Sequence, residues 1–297
     1  MTTHISAKVA STWQNTAFRV MSREQQQLFM QYIQQANRTV SDTVHRFAYP
    51  QLEPFDAFMS VTTTNRTVAL AMCAAFTPNV ATRSRLFCSW SPDFTPTAAE
   101  LNLTELDVTK LTSSFHSHRP TLGPFLAQMW DMTRCDKMIR AHEERTGRHY
   151  SAIVRLRPDS VFFAPLRFTE DVWAASGGCR VLMRARRDGC CGNEDIFNMG
   201  PAHVMHGFLS RVLDFHTIVH SPHFERELLR HRKWDAELYA ESWLNHACGP
   251  GSLTEWPGIH MHPWRTHSRG TTLGNRTDEL PPLAAVPRNM IVMRVES

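Results

Sequence analysis

The chain has 297 residues, 42% hydrophobic and 20% charged, with 13 Gly and 17 Pro, which excludes a collagen-like, low-complexity or wholly disordered chain. That length supports a large buried core, as one big domain or two ordinary ones. The net charge of +4 is too small to point to nucleic acid, and the arginines, which far outnumber Lys8, Lys110, Lys137 and Lys233, are scattered rather than striped. Guanidinium groups suit phosphates and carboxylates, although a GC-rich coding sequence gives the same bias.

No apolar run approaches the ~20 residues of a membrane-spanning helix; Val68–Phe76 is the longest. Met1–Thr12 lacks the continuous apolar stretch of a secretory leader, so the expectation is a soluble chain. The seven cysteines contain no C-x-x-C pair, Cys190 and Cys191 are adjacent, and the odd count does not point to a disulfide framework. Four N-x-T sequons, at Asn37, Asn65, Asn102 and Asn275, permit a secretory lumen.

In chain order, His4–Thr12 alternates like a strand and Ser22–Thr39 reads as a Gln-rich helix. Phe55–Val61 is a predicted strand, Thr64–Phe76 a helix, and Leu86–Trp90 a short strand. Ser91–Pro120, rich in Pro, Ser and Thr, reads as a long loop. Leu122–Thr146 is the clearest helix: Leu122, Phe125, Leu126, Met129, Met132, Cys135 and Ile139 form one stripe, and Gly147 stops it. Strands follow at Tyr150–Leu156 and Arg180–Arg184, helices at Pro201–His216 and Phe224–Ala247, and late strands at Ile259–His262 and Met290–Val295. This alternation predicts an α/β fold with a mostly parallel sheet.

The most informative stretch is Tyr150-Ser-Ala-Ile-Val-Arg-Leu-Arg-Pro-Asp159. Period-two alternation puts Arg155, Arg157 and Asp159 on one side, and Pro158 ends the ladder there. Asp159 is then expected at the carboxyl end of a strand, where α/β sheets bind ligands. Two guanidinium groups around a carboxylate suit a diphosphate with a bound divalent cation. The competing expectation is an Arg155–Asp159 salt bridge closing a turn.

Phe125–Phe163 resembles nucleotide-sugar-dependent glycosyltransferases of the GT-A fold. The shared pattern is a long helix, then Glu144-Arg-Thr-Gly147 and Tyr150, then a strand ending Arg155-Leu-Arg-Pro-Asp159. The resemblance implies a GT-A-like (Rossmann-like), mixed, mostly parallel central sheet flanked by helices. It divides the chain into a domain over 1–265 and an extension over 266–297 with a final strand. Asp159 stands for the second carboxylate of the family's metal-binding D-x-D, with Arg157 in place of the first. Asn193-Glu-Asp-Ile-Phe-Asn-Met-Gly200 resembles the family's segment on the sugar and acceptor side, matching at Phe197, Asn198 and Gly200, with Met205 in the helix beyond.

The resemblance further implies a base for the acceptor hydroxyl, with Glu241 of Ala240-Glu-Ser-Trp-Leu-Asn245 the first candidate and Asp195 the second. It implies Mn2+ or Mg2+ held by Asp159 with His260 or His262, and donor contacts from Arg19, Asp56, Arg155, Arg157, Asp159, Asn198 and Gly200. The implied partners are a nucleotide-sugar donor and a glycan or other hydroxyl acceptor, with no nucleic acid. Two other classes remain open: a metal-dependent hydrolase built on His/Asp ligands, and a non-catalytic binding module of the same fold. The compartment stays open between Golgi lumen and cytoplasm.

Overall fold

The structure, a computed structural model, describes residues 41–42, 44–46, 48–52, 54–62, 66–78, 84–91, 96–114, 122–157, 160–162, 166, 178–184, 194–232, 234–256, 261–263 and 290–295. The expectations on His4–Thr12, Ser22–Thr39, Arg19, Asp159 and His260 lie outside the described residues. The remainder is a mixed α/β structure built on one seven-stranded sheet.

The strands are β1 (Asp56–Thr62), β2 (Arg85–Ser91), β3 (Ala152–Leu156), β5 (Val181–Arg184), β6 (Glu194–Pro201), β7 (Leu253–Trp256) and β9 (Met290–Val295), in the spatial order β2-β1-β9-β3-β6-β5-β7. A separate two-stranded ladder pairs β4 (Ser160–Phe162) with β8 (Met261–Pro263). In the main sheet β1–β2 and β5–β7 are parallel, and the other four ladders are antiparallel. The expectation of a mostly parallel sheet is corrected accordingly. β9 and β6 run against the rest, and each is inserted between two strands of the other direction, which makes both of its ladders antiparallel. The remaining five strands, β1, β2, β3, β5 and β7, therefore all point the same way. Met290–Val295, from the expected extension, lies in the middle of the sheet between β1 and β3.

Helices cover both faces. Ala57, Met59 and Val61 of β1 with Val154 and Leu156 of β3 pack against α1 (Tyr49–Leu52) and α2 (Arg66–Phe76). The alternate residues Phe58 and Ile153 face α4 (Leu122–Thr146) and the helices after β6. This alternation, with β1 and β3 buried on both sides, is why their sequences are almost continuously apolar. The seven-residue stripe of α4 is 4% exposed or less throughout. Its 25 residues make a rod of about 37 Å that crosses the sheet as the backbone of that layer.

Four features depart from the sequence expectations for physical reasons. Within the expected loop, Glu105–Ser114 forms α3, started by a reciprocal cap in which the Asp107 backbone N–H donates to Thr104 Oγ1 and Asp107 Oδ2 accepts from the Thr104 N–H. The expected helix over Pro201–His216 is divided into α5 (Ala202–Leu209), a 3-10 turn (Arg211–Asp214) and α6 (Phe215–Val219). The expected helix over Phe224–Ala247 is two, α7 (Pro222–His231) and α8 (Ala236–Cys248), split where Arg232 takes φ 56° and Asp235 accepts from the Leu238 N–H. Finally, the cysteines do pair: Cys73–Cys88 ties α2 to β2, and Cys179–Cys248 ties the start of β5 to the end of α8, leaving Cys135 buried as a thiol among the described residues. Cys190 and Cys191 lie outside the described residues. Among the described residues no helix is long and apolar enough to cross a membrane.

Candidate functional site

Because five strands share a direction, their carboxyl ends lie on one edge of the sheet. Thr62 ends β1, Arg157 follows β3, Arg184 ends β5 and Trp256 ends β7. β6 runs the other way, so its first residues, Glu194 and Asp195, start at the same edge. Carboxyl edges of this kind are where α/β sheets place ligands.

The structure splits the expected trio of Arg155, Arg157 and Asp159. Arg155 is fully buried on the Ile153 side of β3, the side α4 covers, and its Nη1 donates to Asn198 Oδ1. It therefore does not open onto a cleft, which corrects the expectation that it holds a diphosphate directly. Arg157, two residues on and past the end of β3, is half-buried at the rim. Asn198 lies opposite Arg155 in the β3–β6 ladder, so the segments ending R-x-R-P-D and F-N-x-G are side-by-side neighbours in the sheet. Both Arg155 and Asn198 are 0% exposed, which makes Asn198 a partner of Arg155 and not a surface contact.

A polar layer lies between α4 and the end of β1. Thr62 Oγ1 donates to Asp131 Oδ1, and Arg134 Nη1 donates to Thr62 Oγ1 at 2.9 Å and to Asp131 Oδ1 at 3.1 Å. Asp131 is 5% exposed, and the Arg134 side chain 20%. These three residues were missed from the sequence, because Asp131 and Arg134 look like the solvated side of an amphipathic helix. The available signal was a Thr closing a buried strand opposite a long helix. Below them sits the Cys135 thiol, whose pKa is raised chiefly by burial and further by Asp131, with Arg155 acting in the opposite sense.

The other candidates fall elsewhere. Asp56 opens β1 at the amino edge, where its carboxylate meets Arg85 Nε at 3.3 Å, the Tyr150 hydroxyl at 3.3 Å and His142 Nε2 at 3.6 Å. It ties β1, β2, β3 and the end of α4 together, and the structure does not bring it to Arg157. Burial lowers the pKa of His142, with Asp56 pulling the other way. Glu241 lies on α8 beside α7, 3.8 Å from His223 Nε2, in a cleft of about 600 Å3 that reaches Pro250 and Gly251 in the turn before the amino end of β7. That position does not serve the carboxyl edge. Gly200 sits at the amino end of the sheet, where a Cβ would come within 2.9 Å of the Arg180 carbonyl oxygen, so close packing requires the glycine. His262 is opposite Val161 in the β4–β8 ladder.

Two further buried groups shape the helical layer. Burial would raise the pKa of Asp136, but bonds from His206 (Nδ1 at 2.5 Å), Ser210 (2.6 Å) and Arg140 (2.8 Å) overcome this and hold it below the ordinary carboxylate value. The second nitrogen of His206 lies 3.2 Å from Glu143, whose other oxygen accepts from the Tyr150 N–H. This network locks α4 to α5 and to the entry of β3. Among the described residues one set of side chains brings three candidate metal-ligand atoms within 4.8 Å of one another: Asp107, His216 and His220. In comparisons with protein-family models, curated proteins and solved structures, none matches this chain.

Proposed function

We propose that this protein is a glycosyltransferase on a GT-A-like fold, passing a sugar from a nucleotide-diphosphate donor to a hydroxyl acceptor. The observation that carries this reading is the pairing of β3 with β6. The two segments that resemble the family's motifs are far apart in sequence, yet they are adjacent strands joined through Arg155 and Asn198. The shared direction of five strands and the helices on both faces support it as well.

In this reading the donor lies across the carboxyl edge, and Arg157 screens the diphosphate oxygens as charge builds on them when the anomeric bond breaks. Arg134, held by Thr62 and Asp131, adds a second guanidinium to that edge. Arg155 is a positioning residue: through Asn198 it fixes β6, whose first residues carry Asp195 to the same edge. Asp195 takes the acceptor proton, replacing Glu241 as the favoured base because Glu241 belongs to the α7–α8 cleft. Asp159 with His260 or His262 offers a mixed carboxylate–imidazole donor set that fits a divalent cation such as Mn2+, and the β4–β8 register keeps His262 in the ladder that begins one residue after Asp159. When bound, the cation supplies Lewis-acid stabilisation of the leaving diphosphate. The two disulfides and the exposed sequon residue Asn102 support an oxidising, lumenal compartment.

The burial of Arg155 favours a second reading, a non-catalytic binding module in which the R-x-R-P-D segment is structural. A panel of nucleotide sugars with and without Mn2+, read by release of free nucleotide, separates the two. Transferase activity predicts release from at least one donor and its loss in Asp159→Asn. Nucleotide binding without release from any donor is the result expected of a module.

A further inference from the structure

We propose that Asp107, His216 and His220 form a surface site for a divalent transition metal of the zinc type, bridging α3 and α6. Their ligand atoms all lie within 4.8 Å of one another, and His220 Nε2 is 3.3 Å from Asp107 Oδ1. Tetrahedral zinc with ligands at about 2.0–2.1 Å has ligand-to-ligand edges of about 3.3 Å. His216 and His220 are one helical turn apart with ring centres 4.6 Å apart, so both rings lie on one side of the segment. His216 is exposed, and its ligand nitrogen lies within 4.8 Å of those of the other two residues.

The surroundings orient the ligands as zinc sites require. Asp107 Oδ2 accepts from the Thr104 N–H at 3.0 Å and from its hydroxyl at 2.7 Å, which leaves Oδ1 turned to His220. On the other side of the imidazole, His220 Nδ1 is 3.9 Å from Glu225 Oε1, so a second carboxylate lies near the ring. Both supporting segments are fixed: α3 through Leu111, whose carbonyl accepts from Trp234 Nε1 at 2.9 Å, and α6 through buried Phe215, Ile218 and Val219. Two imidazoles and one carboxylate select zinc-like ions over Mg2+ and Ca2+, which prefer oxygen. Three protein ligands leave a fourth position for water. The site shares no residue with those assigned to the carboxyl edge and does not depend on the sugar-transfer reading.

The test is calorimetric titration of the full-length oxidised protein, stripped with EDTA, with ZnCl2 and in parallel with MgCl2. The wild type is expected to bind Zn2+ and not Mg2+, and His216→Gln and His220→Gln each to remove one Zn2+ equivalent or weaken its binding at least 100-fold. Thr104→Val, which removes the hydroxyl bond to Asp107 Oδ2 and keeps the backbone one, is expected to weaken binding about 10-fold. Circular dichroism and melting in EDTA report whether the variants keep the fold, as expected of exposed imidazoles. Absence of Zn2+ binding in the wild type, or an unchanged number and affinity of Zn2+ ions in the two histidine variants, overturns the proposal.

Discussion

Breaking the Arg155–Asn198 pair tests the link between the two strands most directly. Arg155→Met leaves Asn198 Oδ1 buried without its donor, and the side chain is 0% exposed, so water does not replace it. A buried acceptor left unsatisfied costs about 1–3 kcal/mol. Asn198→Leu removes the acceptor from a buried guanidinium, and hydrogen bonds to charged groups are worth about 1.5–3 kcal/mol. The double variant Arg155→Met/Asn198→Leu replaces both ends with apolar groups of similar shape, a change that is often tolerated. Urea unfolding of the wild type and the three variants then yields a coupling energy. The expected result is a double variant less destabilised than the sum of the singles by about 1.5–3 kcal/mol. Additivity within about 0.5 kcal/mol would mean that the two residues do not act as a pair, and the account of how β3 positions β6 would be wrong.

Gly207→Ala is expected to cost about 1–3 kcal/mol in urea unfolding by overpacking. The new Cβ would come within 2.8 Å of the Trp243 ring, which its Nε1 bond to Asp214 holds in place; Gly207→Ala at wild-type stability contradicts that packing. Removing Cys179–Cys248, which closes a 69-residue separation, is expected to cost about 4 kcal/mol, and removing Cys73–Cys88, with a separation of 15, about 3 kcal/mol in the chain-entropy model. Mass mapping of unreduced protein alkylated under native conditions is expected to leave Cys135 unlabelled, because burial raises its pKa and excludes the reagent; rapid labelling contradicts its position. For His142 the folded pKa lies below the unfolded value, so the unfolded state binds more protons between the two. Its contribution is therefore complete above the unfolded value of about 6.5 and is lost as pH falls through the folded one. Asp136, also lowered, adds stability above about pH 4 that is lost on further acidification. A pH series of urea midpoints is expected to fall less steeply below pH 6.5 in His142→Asn than in the wild type; equal slopes contradict the sign.

Much of the layer structure was legible because it rests on periodicity. The stripe of α4 and the apolar runs of β1 and β3 show which residues are buried, and all three are found where they were expected. β6 was not legible: Glu194, Asp195 and Asn198 break its apolar pattern, and only a buried arginine on the neighbouring strand explains an asparagine in mid-sheet. α3 was hidden by the Pro, Ser and Thr around it, although the Thr104–Asp107 cap was present in the sequence as a T-x-x-D pattern. The disulfide pairs depend on which helix packs on which strand, a tertiary fact that spacing does not encode.

For the candidate site, alternation put Arg155 and Arg157 on one side of an extended segment, but a single strand does not reveal what covers each face or where the ladder ends. α4 covers the side chain of Arg155, while Arg157 escapes it by lying past the end of the ladder. The same limit applies to Asp56 and Glu241. Their residue types suited the chemistry, and their positions at the amino edge and in the α7–α8 cleft come from topology alone.

The central claim is that the carboxyl edge beside Arg157 takes a nucleotide diphosphate, and a thermal-shift titration with uridine and guanosine diphosphates in the presence of Mn2+ tests it. Stabilisation of about 2.7 kcal/mol is expected at a ligand concentration 100 times Kd. The account predicts a rise in the wild type, its loss in Arg157→Met, and its retention in Glu241→Gln. No shift in the wild type with either nucleotide, or a shift that survives Arg157→Met and disappears in Glu241→Gln, contradicts it.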